Sequence, residues 1–166
     1  MNAIKMLKQQ HREVEKLFKA LEAAKSAGPR RKSFEEIADA LAVHATIEER
    51  HFYPAVKERQ TEEILLESVE EHLEIKRLLA DLLALDPNAD EDTFDAKLSV
   101  LKENVSHHAH EEEEGKLFPK LRKLLSAEQR AALGNEVLEM FESMIDESPR
   151  FHVHEETAEA APLPSV

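Results

Sequence analysis

Cysteine is absent from the 166 residues. Disulfides, zinc–thiolate sites, iron–sulfur clusters and thiol catalysis are excluded with it. Tryptophan is also absent, tyrosine occurs once and glycine three times. Glycine-rich phosphate loops are therefore almost excluded, and no Ser-His-Asp order stands out. No apolar run approaches membrane-spanning length, and Met1-Asn2-Ala3-Ile4-Lys5 lacks the apolar core of a signal peptide. A soluble cytoplasmic protein is the expectation. Basic residues are also outnumbered: 22 Lys and Arg face 35 Asp and Glu, a net charge of −13. That balance argues against nucleic acid and anionic membranes as partners, since both need clustered cations.

What is present favours helix. Hydrophobic residues make up 42% and charged residues 34%, enough for one packed domain with few sheet formers. Apolar residues recur at helical spacing in four long segments. The first runs from about Asn2 to Ala27, carrying Ile4, Leu7, Val14, Leu17, Phe18 and Leu21, and Gly28-Pro29 stops it. The second starts near Ser33, with Glu36 as the far half of a capping box, and reaches Arg59. The third spans about Thr61 to Leu85 and the fourth about Asp92 to Leu125, with a kink expected at Pro119. Ser126 and Gln129 form another capping box, opening a shorter fifth helix to about Ile145. The expected architecture is all-α: an up-down-up-down four-helix bundle with a short fifth helix, over residues 1–145. Residues 146–166 turn Pro-, Glu- and Ala-rich and read as a mobile C-terminal tail.

The two halves echo each other. QQHREVEKLFKAL in the first helix aligns with EEHLEIKRLLADL in the third, 61 positions later, matching His11 to His72. EERHFYP in the second aligns with EEGKLFP in the fourth, offset by 65, matching Glu48 to Glu113 and Pro54 to Pro119. The upstream histidine breaks the pattern. His44 precedes Glu48 by four residues, whereas His108 precedes Glu113 by five.

Nine histidines are the unusual feature. His11, His44, His72 and His108 each fall within an apolar stripe, one per long helix. A lone histidine there is usually a core residue satisfied by one hydrogen bond. Four at one level need many partners, and a metal satisfies them together. His44 and Glu48 share one helical face, and Glu48 and Glu113 come from matching halves, placed to bridge two cations. Imidazole nitrogen with bridging carboxylate oxygen suits iron or manganese. On the fourth helix, five residues turn an ideal helix by about 140°. Periodicity alone thus selects Glu112 as the partner of His108, while the repeat selects Glu113. A local π-bulge, which absorbs one residue, would reconcile Glu113 with His108.

These segments — His11 in LKQQHREVEKLF, His44 to Glu48 with Tyr53-Pro54, His72 in EEHLEIKRLL, and His108 to Glu113 with Phe118-Pro119 — resemble the hemerythrin-like HHE cation-binding domains. The resemblance covers about residues 1–125. It implies a pair of iron ions with an oxo or hydroxo bridge. Carried over by position, the ligands are His11, His44, Glu48, His72, His108 and Glu113. Oxygen-carrying relatives have a second histidine on the third helix, one turn from the first. Here those positions are Ser68 and Lys76. Glu15, one turn after His11, or His51, three after Glu48, is available to complete the set; the alternative readings are a surface acid and a supporting or core histidine. His107 and His110 flank His108 and should point elsewhere, and His152 and His154 belong to the tail.

Two functions follow from the resemblance. One is a di-iron protein that binds or senses dioxygen, or handles iron. The other is a di-iron enzyme acting on peroxide or nitric oxide, for which an incompletely ligated iron leaves an open position. A metal-free helical scaffold is the third reading, and four buried histidines at one depth count against it.

Overall fold

The computed structural model describes residues 1–164; Val166 and Ser165 lie outside the described residues. Helix α1 (Ala3–Ala23) opens with Asn2, whose side chain accepts from the Lys5 N–H. Helix α2 (Ala27–Ile47) continues through a π-helical turn (Glu48–Phe52) and a last α turn (Tyr53–Val56). Helix α3 (Glu62–Ala84) is followed by α4 (Glu91–Ser106), a long π-helical stretch (His107–Leu117) and an α turn (Phe118–Leu124). Helix α5 (Ala127–Met144) starts at the expected capping box of Ser126 and Gln129. There is no strand among the described residues, so the architecture is the expected all-α bundle. No helix among them is long and apolar enough to cross a membrane.

Some bounds differ from the sequence reading: the first helix ends at Ala23, not Ala27, and the second at Val56, not Arg59. Helix α2 begins at Ala27, not Ser33. Pro29 falls in its first turn, where a missing N–H costs nothing, so Gly28-Pro29 starts a helix instead of stopping one. As expected, helix continues past Pro54, to Val56, and past Pro119, to Leu124. Each follows a π-helical segment, whose wider turn takes up a proline that an ideal α-helix would reject. The expected tail also packs on the body. Pro149–Glu156 forms 3₁₀ turns against α2 and α3, with Val153 buried in the core. Arg150 fixes this segment through two bonds to Asp39, from its N–H (3.0 Å) and its guanidinium (2.7 Å).

The core has two apolar lobes. One gathers Val14, Phe18, Phe34, Leu41, Ile75, Leu79 and Phe94; the other gathers Leu7, Ile47, Phe52, Leu65, Val69, Phe118 and Val137. The boundary between them crosses each long helix at a histidine: Leu7–His11–Val14, Leu41–His44–Ile47, Val69–His72–Ile75 and Leu101–His108–Leu117. The polar layer is therefore sealed above and below by hydrocarbon. Helix α5 closes the outside of α1. At Gly134 it lies so close that a Cβ would sit 2.1 Å from the Met1 carbonyl oxygen.

Candidate metal centre

Helical periodicity turns all four stripe histidines inward, and all four are buried. Each is fixed from behind at Nδ1. His11 meets Glu114 (2.8 Å), His44 meets Gln10 (2.6 Å), His72 meets Glu49 (3.4 Å) and His108 meets Glu71 (3.0 Å). An acceptor at Nδ1 holds the Nδ1–H there, so Nε2 is the nitrogen turned inward, the one that would bind a cation once its own proton is released.

The inward nitrogens surround two carboxylates with no solvent exposure, Glu48 and Glu113. Glu48 faces both ways: Oε1 lies 3.0 Å from His44 Nε2, and Oε2 lies 3.0 Å from His72 Nε2. Glu113 Oε1 lies 2.5 Å from His108 Nε2, 3.9 Å from His11 Nε2 and 4.0 Å from His44 Nε2. Two groups result whose donor atoms all fall within 4.8 Å of one another. One is His11, His44, Glu48 and Glu113; the other is Glu48, His72, His108 and Glu113. The carboxylates belong to both.

This arrangement leaves orphans. Nε2 of His11 and His44, Oε1 of Glu48 and Oε2 of Glu113 are buried without a well-aligned hydrogen bond, although His44 Nε2 and Glu48 Oε1 sit 3.0 Å apart. Buried polar atoms are normally paired, because leaving one unmade costs about 1–3 kcal/mol. Four orphans at one point, all hard or borderline donors, fit cations better than packing.

The charges agree. Burial alone would pull the His44 imidazole down, but the charges of Glu48 and Glu113 push it up to about 10. His108 is likewise carried well above its ordinary value, against burial, by Glu113. Glu48 is held well below the usual carboxylate range, since His44, His108 and His72 outweigh the burial that would raise it. His11 moves the other way, lowered chiefly by burial. Protons on imidazole thus stand in for the positive charge that two buried carboxylates demand.

The six residues expected from sequence are brought together. Glu113, not Glu112, joins both groups: the π-helical stretch spans His107–Leu117 and absorbs the fifth residue. Glu112 instead binds Lys116 at 2.8 Å. Glu15 faces out and pairs with His110, while His51, in the first π turn, joins neither group. His107 pairs with Glu71 (3.2 Å) and Glu111 (2.9 Å), and His152 lies exposed beside Glu155. One central residue was not singled out by sequence reasoning. The Tyr53 hydroxyl donates to Glu48 Oε2 at 2.9 Å and lies 3.4 Å from Nε2 of both His72 and His108. Burial and the charges of Glu113 and Glu48 raise it well above 10, so it stays protonated. Its signal was present: it is the sole tyrosine, five residues after Glu48.

Residues 2–121 match the family described as hemerythrin HHE cation binding domain. A DNA nickase of Nostoc sp. (strain PCC 7120) is 33% identical over 129 residues, which is 78% of this chain and 36% of that protein. The chain therefore spans about a third of the length of that curated relative. No solved structure matches.

Proposed function

The chain belongs to the hemerythrin HHE cation-binding family, and from that premise we propose that it is a non-haem di-iron protein that binds dioxygen or a similarly small molecule. The supporting observation is the convergence of four Nδ1-anchored imidazoles on two shared, fully buried carboxylates. His11 and His44 would hold one cation and His72 and His108 the other, with Glu48 and Glu113 bridging. Bound iron would supply a redox-active Lewis acid with room for an exogenous ligand.

The chain's own residues shape what reaches that point. A cavity of about 30 Å³ lies against the four imidazoles, with Val14, Leu41, Ile75 and Val105 among its other, mostly apolar walls and Gln10 as its polar one. A water needs roughly 10–15 Å³ on this measure, so the space suits a diatomic or a water and little more. The apolar walls keep bulk water from the imidazoles. Tyr53 takes a place near the second group, where the third helix offers Ser68 and Lys76 instead of another histidine.

Tyr53 favours a second reading, peroxide or nitric oxide chemistry. Its hydroxyl is a protonated donor within 3.5 Å of Glu113 and 2.9 Å of Glu48, placed to give a hydrogen bond to a small bound oxidant. The nicking activity of the longer relative is not carried over, because a net charge of −13 repels a phosphate backbone. The test is to load the chelator-stripped protein anaerobically with Fe²⁺ and admit oxygen. An optical change that reverses on deoxygenation supports the binding reading. Irreversible change with rapid peroxide loss supports the enzyme reading. No response to oxygen, peroxide or nitric oxide removes both.

A further inference from the structure

Of the four acceptors behind the core imidazoles, one is built differently. Gln10 is neutral, and the side chains of Glu114 and Glu71 are 20% and 21% exposed, so water already stabilises them. Glu49, behind His72, is only 6% exposed. Its charge is met by Lys76, itself 7% exposed, whose ammonium donates to Oε1 at 2.5 Å and Oε2 at 2.7 Å. Lys76 stands one turn from His72 but turns away from the centre. Beyond it sits a second carboxylate, Glu156, at 3.4 Å.

Glu156 is not on the bundle. It ends the Pro149–Glu156 turns, which cross α2 and α3. Three contacts hold that segment in register: Arg150 on Asp39, Val153 in the core, and Arg77 donating to the carbonyls of Thr157 (2.9 Å) and Ala158 (3.2 Å). Arg50, largely exposed, also faces Glu156 at 4.0 Å.

We infer that the C-terminal turn is a working part of the centre, and that Glu156, Lys76 and Glu49 are positioning residues that hold His72 with its Nε2 inward. The inference rests on the reading that His72 is a metal ligand. The buried Glu49 carboxylate is fixed by Lys76, whose ammonium reaches both of its oxygens. Lys76 in turn is held at that depth by carboxylates on both sides. The Glu49 carboxylate, held directly behind the imidazole at Nδ1, makes Nε2 a better donor to a cation. Without Lys76, nothing holds the Glu49 carboxylate at its place behind the ring, and the imidazole loses a fixed acceptor. The same charge arrangement explains why lysine occupies this position: it supports the neighbouring ligand from behind.

The test titrates chelator-stripped full-length protein with Co²⁺, whose visible absorption reports each site's coordination. Wild type is expected to take up two ions. Lys76→Met is expected to weaken one of them roughly 10-fold or more and to alter its absorption, as loss of an outer-sphere partner does. Lys76→Arg, which keeps the charge, should restore both. Glu156→Gln lies at the surface and should fold whatever becomes of Lys76→Met; it should weaken the same ion by a smaller factor. Two ions bound by Lys76→Met and Glu156→Gln with wild-type affinities and spectra would overturn the inference while leaving the di-metal reading intact. Wild type that takes up no Co²⁺ would overturn that reading, and this inference with it.

Discussion

Glu113→Gln keeps the side-chain volume at 113 and removes one charge from both ligand groups. Its effect on cation-free protein should be small. The lost charge-assisted contact with His108, at 2.5 Å, is offset by relief of a fully buried carboxylate whose Oε2 has no partner. The loaded protein should differ. Changing an outer-sphere partner commonly costs 10–100-fold in metal affinity, and losing a shared bridging ligand should cost at least about 100-fold. At free metal 100 times the wild-type Kd, each occupied site stabilises wild type by about 2.7 kcal/mol. For a domain of this size that is roughly 5–10 °C in Tm. At the same metal concentration the variant sits at its own Kd and gains only about 0.4 kcal/mol per site, roughly 1–2 °C. The assay is thermal unfolding with and without metal, for both proteins. The reasoning is refuted if Glu113→Gln shows the wild-type loading shift.

Other outcomes follow from the same geometry. His44 carries a value raised to about 10, above the ordinary 6.5, so its contribution to cation-free stability is fully present below about pH 6.5 and is lost as pH rises towards 10. Chelator-treated protein should therefore melt at progressively lower temperature from pH 7 to 10, and metal-loaded protein should not; a flat cation-free profile would contradict this. Tyr53→Phe removes the donor to Glu48 and should lower peroxide loss severalfold with iron content unchanged, measured by following peroxide absorbance. Gly28 has open space around its Cβ position and a helical φ, so Gly28→Ala should stabilise by about 0.5–1 kcal/mol in urea unfolding. Gly134→Ala should destabilise by about 1–3 kcal/mol, because its methyl meets the Met1 carbonyl.

Much of the site was legible because helical periodicity is a strong signal. Apolar residues at Leu7 and Val14 fix the direction of His11, and the same logic holds at His44, His72 and His108. The internal repeat carried information that periodicity lacked, selecting Glu113 where a regular helix selects Glu112. What stayed hidden was irregular backbone. The first π-helical turn, at Glu48–Phe52, leaves no mark except the proline after it. At Gly28-Pro29 another ambiguity applies, since proline ends one helix as readily as it begins the next. Tyr53 entered only as part of the Tyr53-Pro54 motif, because an aromatic beside Phe52 near a helix end is usually core. The packed C-terminal turn was masked by composition: Val153 is its one deeply buried aliphatic residue, and the rest of its anchoring is polar, through Arg150, Arg77 and Glu156.

The central claim is that four imidazoles and two shared carboxylates together hold a pair of cations. The most direct measurement is iron per chain, by elemental analysis of protein loaded anaerobically with Fe²⁺ and freed of excess metal, beside a His44→Ala, His108→Ala double variant. Two irons per wild-type chain and fewer than one in the variant are predicted. Less than one iron in wild type, or equal iron in both proteins, would contradict the account.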